Sequence, residues 1–536
     1  MSWVNIYEQP IVPEVDLDTD VVVYVPGYAI KGPDEPTLVN STNFTTVFGE
    51  SPYVFVADST GVKVAKNAVL TGSREKSWLY AKGLVDAGLT VLYKRFKSST
   101  ATNAAQADSF QIYLDSGDVV EHNLLSGTAK IGVRAKYFGA YYNDLSISTT
   151  KISNGVSKIE VKLGSSIVES ANVSLNPEAE NYFGSVNFNT IEFYATGTDD
   201  NEISIEDLYD IISEKISGQY RLTYLLTKTL NNPVSLSGGT DAFTVESFED
   251  AISDGSLYTF LEDTERYPVS YLTTGGYFVD YTNLKPTKVL EIANKIKACY
   301  SVDFANDLTK DTVANYRGGV QNIGVSDLLD FSKGFQFVGA DTFKVEGIRV
   351  VLPDSFGYFV RLGKNISAGL PYWAPIANNS QGLVSNAFAA TRPVNFELEN
   401  LMISNEGVSI NPVITKKNVG YVIMGNRTLY PNDGVLGPQS FLNCQVVVNT
   451  VERSARRAAN KLRIVSTNIE TAFKNFKNSV EKTCDKLLTN GDGLAEYAIV
   501  KLPKTKPATL DIQIKLTVVE GIETFNIYVP YSLALD

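Results

Sequence analysis

Residues 451–490 read VERSARRAANKLRIVSTNIETAFKNFKNSVEKTCDKLLTN, and they carry the clearest structural signal in the chain. Their apolar residues follow one another at steps of three or four, the period of an amphipathic α-helix. Ser466, Thr467 and Asn468 interrupt the run with side chains that favour a helix N-cap, so the pattern predicts a pair of helices that ends at Gly491 and Gly493. The apolar positions are Val451, Ala455, Ala458, Leu462, Val465, Ile469, Phe473, Phe476, Val480, Cys484 and Leu487.

Two strands are predicted after the helix pair. Residues 511–518 alternate strictly, and Ile512, Ile514, Leu516 and Val518 would share one face. Gly521 turns the chain, and residues 524–531 alternate again with Phe525, Ile527 and Val529 on one face. A strand so close to the end of a large chain is a possible device for reaching another subunit.

The first twenty residues are predicted to form an arm. Residues 3–12 have extended character, and Pro10 and Pro13 exclude a helix. Acidic residues then alternate with Thr or apolar ones at Glu14, Asp16, Asp18 and Asp20. Such a segment cannot form a core of its own, so a frayed terminus and a strand donated to a neighbour both remain open.

The remaining chain predicts an α+β multidomain protein. Residues 21–99 together with 236–350 have the rhythm of an α/β domain, 100–235 that of a β-rich insertion domain, and 351–536 form a C-terminal domain with the helix pair and a small β-sheet. The predicted helices are about 73–87, 246–252 and 288–299; the predicted strands are 21–25, 89–93, 157–163, 186–194, 269–273 and 300–304.

Composition excludes several classes of protein. The chain has 536 residues, a formal net charge of −13 and only three widely spaced cysteines. The acidic balance disfavours a nucleic-acid-binding protein, and the cysteine spacing disfavours a disulfide framework or a zinc site. No signal peptide and no long apolar stretch is visible, so we expect a protein that is made in a cytoplasm and does not span a membrane.

Motifs for chemistry are almost absent. His122 is the single histidine, and the chain has neither a phosphate-binding P-loop nor a G-x-S-x-G nucleophile elbow. Residues 237–241 are glycine-rich but lack the order strand, G-x-G-x-x-G, helix. We therefore expect no enzyme and no cofactor, although scattered carboxylates leave a carbohydrate-cleaving role as an alternative.

One segment is basic. Residues 451–490 hold nine cations and four anions, a net charge of +5 in an acidic chain. A solvated helix face and a surface that docks onto an acidic protein partner are both compatible with this excess. Nucleic acid is disfavoured because the exposed face lacks interleaved aromatic residues.

Ten separated segments of the chain stand out as short motifs. They are VPGYAIKGP (25–33), EPTLV (35–39), FG (48–49), GLTVLYKR (88–95), AKYFGAYYNDL (135–145), LSGGTD (236–241), YWAPIAN (372–378), GVSINP (407–412), GYVIMGNRTL (420–429) and VER (451–453). In this order they resemble motifs of the contractile tail sheath family, which includes myophage, R-type pyocin and type VI secretion sheaths. The match is densest in the C-terminal third.

The resemblance implies a structural subunit of a six-start helical tube that contracts around an inner tail tube. It implies inter-subunit strand exchange through Trp3, Val4, Ile6 and Tyr7 at one end and Phe525, Ile527 and Val529 at the other. Glu14, Asp16, Asp18 and Asp20 would form a hinge linker. The tube-facing basic residues would be Arg453, Arg456, Arg457, Lys461, Lys474 and Lys477.

The implied partners are further copies of the chain, the inner tube protein, and baseplate and tail terminator proteins, without direct contact to nucleic acid or membrane. The implied location is a virion tail assembled in a host cytoplasm, and a bacterial injection machine remains an alternative to a phage. Another viral β-rich structural protein, such as a capsid or baseplate component, is the second reading.

Overall fold

The computed structural model describes nineteen stretches of the chain between residues 21 and 519. They are 21–50, 69–70, 74–114, 130–153, 156–174, 179–183, 185–196, 202–203, 222–227, 233–278, 286–303, 331–335, 337, 340–390, 410–430, 437–462, 469–489, 493–503 and 510–519. The predicted arm (Trp3, Val4, Ile6, Tyr7), the hinge linker (Glu14, Asp16, Asp18, Asp20), the last strand (Phe525, Ile527, Val529), His122 and the cap at 466–468 lie outside the described residues.

Strands and helices of the described residues are numbered in chain order. The strands are β1 (Val22–Gly27), β2 (Thr37–Val39), β3 (Val69–Leu70), β4 (Thr90–Arg95), β5 (Asn103–Leu114), β6 (Lys130–Phe138), β7 (Leu145–Ser153), β8 (Val156–Leu163), β9 (Ser166–Ser174), β10 (Ile191–Thr196), β11 (Glu202–Ile203), β12 (Leu222–Thr227), β13 (Val234–Ser235), β14 (Tyr271–Leu272), β15 (Cys299–Ser301), β16 (Gly334–Phe335), β17 (Ala340–Val345), β18 (Ile348–Pro353), β19 (Ala387–Ala390), β20 (Val413–Lys416), β21 (Gly420–Ile423), β22 (Leu494–Lys501) and β23 (Ile512–Val518). The α-helices are α1 (Phe44–Phe48), α2 (Lys76–Asp86), α3 (Val245–Ser253), α4 (Pro286–Ile296), α5 (Ser355–Ser367), α6 (Asn378–Gln381), α7 (Leu442–Leu462) and α8 (Ile469–Thr489).

A six-stranded sheet forms the centre, in the order β16-β15-β14-β1-β4-β2. All neighbours pair in parallel except β2, which is antiparallel to β4. The continuous apolar run of β1 fits this position, because a parallel strand is buried on both faces. Val23 and Val25 enter one core with α2 and α5, whereas Val22 and Tyr24 enter a second core with α3 and α4.

The first of these cores continues into the C-terminal part. It joins Val23 and Trp78 to Val447 of α7, Cys484 of α8 and Ile499 of β22. The four-stranded sheet β19-β17-β18-β3 also combines strands from both parts, and β18 runs across the predicted boundary at residues 350 and 351. The central sheet and the helix pair are therefore packed as one body.

The insertion forms a separate sandwich. A five-stranded sheet, β11-β10-β6-β5-β12, and a four-stranded sheet, β13-β7-β8-β9, share a core of their own. The strand predicted at 157–163 is confirmed by β8, but the strand predicted at 186–194 begins only at Ile191. The reason is local: the Glu169 carboxylate accepts hydrogen bonds from the backbone amides of Asn189 and Thr190, so these amides are not available to a neighbouring strand.

The helix pair is confirmed, with a different start. α7 begins at Leu442 rather than at Val451, because buried polar residues such as Asn443, Gln445 and Asn449 hide the helical period in the sequence. The helix predicted at 288–299 ends earlier, at Ile296, since Lys297 has a left-handed φ of 62° and Cys299 starts β15.

Candidate functional site

A two-stranded antiparallel sheet, β22–β23, lies on the helix pair. Tyr497 is opposite Leu516 and Ile499 is opposite Ile514. Leu494 and Ile499 are buried against the helices, and the alternating residues predicted at 512–518 form the half-buried face of β23. Within the described part of the chain neither strand has a second neighbour. Two strands alone are marginally stable, and their open edges present unpaired N–H and C=O groups.

The first and last described residues, Val21 and Val519, both lie near the start of β22. Val21 lines a groove with Tyr372 and Trp373. The Trp373 indole lies against Gly493, the residue before β22, with its Nε1 3.0 Å from where a Cβ would stand. Val519 donates its N–H to the Gly493 carbonyl at 3.2 Å. Val519 is thus bonded directly to the residue before β22, and Val21 shares a groove with the tryptophan that lies against that residue.

Two arginines of α7 hold this helix against the C-terminal end of α4. Arg453 donates from Nη1 to the carbonyl of Lys297 at 2.7 Å and from Nη2 to Thr450 Oγ1 at 3.2 Å. Arg456 donates from Nη2 to the carbonyl of Lys295 at 2.6 Å. Both carbonyls lie at the C-terminal end of α4, where cations are favoured. Burial lowers the pKa of Arg453, which is consistent with a structural position inside the chain.

The other predicted basic residues differ in exposure. Lys461 and Lys474 are exposed, Arg457 is half-buried, and Lys477 is half-buried with its Nζ 3.6 Å from the Glu481 carboxylate. The six residues therefore do not form one uniform surface: the arginines lie towards the central sheet, and the lysines lie on the outer parts of α7 and α8.

A buried lysine completes the contact between α7 and the central sheet. Lys333, 2% exposed, is the last residue of a short 3₁₀ turn before β16 and donates to Gln445, Asn449 and Glu452 of α7. Glu452 also pairs with Lys297 at 3.4 Å. Sequence reasoning missed this cluster, and the polar residues on the buried side of α7 were the signal that could have indicated it.

Arg95 anchors the insertion domain. Its fully buried guanidinium donates to the carbonyls of Ala29, Gly32 and Phe138 and to the Asp241 carboxylate at 2.9 Å. It also stacks 3.8 Å from the Phe138 ring centroid. Arg95 lies just before the insertion, Phe138 ends β6 within it and Asp241 lies just after it, so one arginine joins all three segments.

Asn143 and Gly239 form a second contact at the base of the insertion. The Asn143 side chain accepts from the N–H of Gly239 at 2.8 Å and donates to its carbonyl at 3.0 Å. A Cβ on Gly239 would lie 2.5 Å from the carbonyl oxygen of Gly139, so only glycine fits. The segments at 135–145 and 236–241 thus meet in a structural joint.

The C-terminal segments form another joint. The Asn411 side chain brackets Arg427, accepting from its N–H at 2.7 Å and donating to its carbonyl at 2.9 Å. Asn426 and Asn443 are hydrogen-bonded at 2.6 Å, which ties the end of β21 to the start of α7. The motif residues in these segments therefore contact one another in the interior.

Buried carboxyl groups fill the carboxyl edge of the central sheet, where open α/β sheets often bind ligands. Asp303 accepts from Thr274 and Ser301, each at 3.0 Å. Burial raises the pKa of Asp303 to about 7. Burial and then the charges of Asp341 and Asp303 hold the pKa of Asp354 well above its usual range. The protein's own side chains occupy this edge.

Two further findings concern the described residues only. None of their helices is long and apolar enough to cross a membrane. They also contain no group of three or more His, Cys, Asp or Glu side chains arranged to hold a metal ion.

The fold is similar to that of a sheath tail protein from Listeria innocua, with a TM-score of 0.52 and 11% sequence identity over 94% of this chain and 96% of that one. A sheath tail protein from Desulfitobacterium hafniense has a TM-score of 0.48 and 10% identity over 95% of this chain and 98% of that one. The contracted helical sheath of the anti-feeding prophage has a TM-score of 0.38 and 15% identity over 56% of this chain and 78% of that one. No family model matches the sequence, and no curated protein matches it. The predicted resemblance is confirmed at the level of the fold.

Proposed function

We propose that this chain is the sheath subunit of a contractile tail or of a related contractile injection machine. The observation that carries the proposal is the fold, which matches a sheath tail protein over 94% of the chain. The two-stranded sheet β22–β23 supports the proposal, because its open edges can form main-chain hydrogen bonds with strands from other chains. The hydrogen bonds of Asn143 with Gly239 and of Asn411 with Arg427 give the residues of the sheath-like motifs a structural role that needs no catalytic chemistry.

Neighbouring subunits complete the sheet in this proposal. Trp3, Val4, Ile6 and Tyr7 of one copy and Phe525, Ile527 and Val529 of another add strands at the outer edges of β22–β23. Added strands gain main-chain hydrogen bonds and cover apolar side chains. Donor and acceptor surfaces differ, so the contact is heterologous and builds an open helical polymer, here with six starts.

Contraction then moves near-rigid subunits. The contacts of Arg453 and Lys333 fix the helix pair to the central sheet, so both rotate as one body. The exchanged strands keep the subunits connected while the linker with Glu14, Asp16, Asp18 and Asp20 bends. Energy is stored during assembly in a metastable extended tube, which requires no nucleotide.

The inner tube is the second partner in the proposal. Lys461 and Lys474 are exposed and are the first candidates to meet an acidic tube surface, followed by Lys477 and Arg457. Arg453 and Arg456 act behind them, by holding α7 in place. Exposed ion pairs contribute about 0–1 kcal/mol each, which suits a sheath that must release its tube. Baseplate and tail terminator proteins would bind the two ends of the polymer.

Negative-stain electron microscopy of the purified chain, alone and with its candidate tube protein, tests the proposal. We expect hollow striated cylinders that disappear when residues 1–20 or 520–536 are deleted. Ile167→Ser, on an exposed edge of the insertion, serves as the control that still forms cylinders. Dispersed monomers or closed shells under all conditions would favour a capsid or baseplate component instead.

Shortening the linker separates assembly from contraction. Deleting three residues between Glu14 and Asp20 should leave the subunit folded and the extended tube intact, and should block contraction. Normal contraction of that variant would exclude the linker as the hinge.

A further inference from the structure

The amine of Lys333 lies among three side chains of α7 in the interior of the protein. Its Nζ is 2.5 Å from Asn449 Oδ1, 3.2 Å from Glu452 Oε2 and 3.3 Å from Gln445 Oε1. The three acceptors follow one another at steps of four and three residues, so they share the face of α7 that meets the lysine. An amine, a carboxamide and a carboxylate are therefore held together at one place.

The carboxamide of Asn449 turns its carbonyl side towards the lysine. Its Nδ2 donates to Cys299 Sγ at 3.2 Å, which keeps the oxygen on the side of Nζ. A carbonyl bond is about 1.2 Å long, so Nζ lies within ~3.7 Å of the carbonyl carbon, Cγ. Reacting atoms in a near-attack conformation are about 3–3.5 Å apart. A small rotation of the lysine side chain therefore brings Nζ over the face of the amide.

Glu452 places a proton acceptor at the same nitrogen. Its Oε2 faces Lys333, whereas its Oε1 pairs with Lys297 at 3.4 Å and its side chain is half-buried. Transfer of a proton from the ammonium to Oε2 gives a neutral amine, which is a nucleophile towards carbonyl carbons. Asn449 and Cys299 are buried, so the amide is shielded from water. These side chains thus supply a nucleophile, an electrophile and a base for one reaction.

We infer that Lys333 and Asn449 form a modification site, at which the chain closes an internal isopeptide bond. Glu452 takes one proton from the Lys333 ammonium, and the lone pair of Nζ forms a bond to Asn449 Cγ. Glu452 passes its proton to Nδ2 and takes the second proton from Nζ as the Cγ–Nδ2 bond breaks. Ammonia leaves and accepts that last proton as ammonium, which restores the carboxylate. One ammonium and one primary amide become one secondary amide and one ammonium ion, without an oxidant, a metal or a nucleotide.

The product links the segment before β16 to α7 by a covalent bond. Residues 333–449 then form a closed loop, and such a cross-link restricts the unfolded chain. A load that passes between the helix pair and the central sheet crosses this bond as well as the hydrogen bonds of Arg453. The inference concerns one chain and does not depend on the sheath function.

Mass spectrometry of the full-length, unassembled chain tests the inference. We expect the intact mass to lie about 17 Da below the mass of the sequence, because one ammonia is lost. A tryptic digest should contain two peptides joined through Lys333 and Asn449. This joined pair distinguishes the isopeptide bond from cyclisation of an asparagine, which removes the same mass within a single peptide.

Glu452→Gln tests the proton acceptor with a side chain of nearly the same shape. We expect this variant to form the bond at least about a hundredfold more slowly, since general base catalysis is lost. Glu481→Gln, which removes a carboxylate from α8 away from the lysine, is the control that keeps the bond. Circular dichroism verifies that both variants are folded. A full sequence mass for the original protein, or a cross-link to Gln445 instead, would overturn the inference, and equal cross-linking of Glu452→Gln would overturn the role of Glu452.

Discussion

Replacing Asp303 by asparagine should change how the stability of the subunit depends on pH. Asp303 lies in the interior at the carboxyl edge of the central sheet, 2% exposed, with Thr274 and Ser301 as hydrogen-bond donors. Burial raises its pKa from an ordinary value of 3.8 to about 7, although the hydroxyl donors oppose the rise. Asparagine has nearly the same shape and cannot ionise.

The magnitude follows from the pKa difference. A pKa that rises from 3.8 to about 7 corresponds to about 4 kcal/mol, at about 1.4 kcal/mol for each tenfold change in the acid constant. The folded protein keeps a proton that the unfolded chain has released, so its free energy of unfolding falls as pH rises from 4 to 7. Below pH 4 this penalty is absent, and above pH 7 it is complete. The difference in stability between the variant and the original protein should therefore move by about 4 kcal/mol in favour of the variant across this window.

Guanidinium unfolding of the unassembled subunit at pH 4, 5, 6, 7 and 8 measures this difference. Trp78 and Trp373 belong to the core shared by the central sheet and the helix pair, so their fluorescence reports its unfolding. Glu246→Gln removes a carboxylate from the exposed first turn of α3 and serves as the matched control. Parallel stability curves for Asp303→Asn and the original protein would refute the reasoning, since a carboxylate ionised throughout the window contributes no such slope.

Three further variants test the contacts at the base of the insertion and the exposed lysines. Arg95→Met should lower the free energy of unfolding by about 3–5 kcal/mol, because the half-buried Asp241 carboxylate and three carbonyls lose their donor. Lys97→Met, on the exposed side of the same segment, should change that free energy little. Equal midpoints of guanidinium unfolding for Arg95→Met and the original protein would contradict the anchoring role. Gly239→Ala should lower the free energy of unfolding by about 1–3 kcal/mol through overpacking. Gly437→Ala should be tolerated, because its Cβ would meet only Gln439 Oε1, at 4.0 Å. An unchanged melting temperature of Gly239→Ala would show that the surrounding contacts can relax. Lys461→Glu combined with Lys474→Glu should reduce co-sedimentation with the candidate tube protein about tenfold at low salt. Lys417→Glu should not reduce it. If the double variant binds the tube protein as well as the original protein does, these lysines do not belong to the tube contact.

The pattern of apolar residues along the sequence was enough to predict several of the helices and strands. The helix pair, β8 and β23 follow from the spacing of apolar residues, and the parallel strand β1 follows from an unbroken apolar run. The order of short segments along the chain also predicted the sheath fold, which the likeness to the Listeria protein confirms. The strand exchange, the hinge and the tube contact remain predictions.

The sequence could not determine what a charged residue faces. Arg453 and Lys474 both lie off the apolar stripe of their helices, yet one caps a helix 156 residues away in the chain and the other is exposed. The same holds for Glu169, which captures the backbone amides of 189 and 190 and so shortens a predicted strand. The spacing of apolar residues determines on which face of its own helix or strand a side chain lies. The residue that it contacts there comes from a distant segment of the chain. Only the tertiary packing that brings the two segments together decides whether a charged side chain is exposed, anchors another segment or caps a helix.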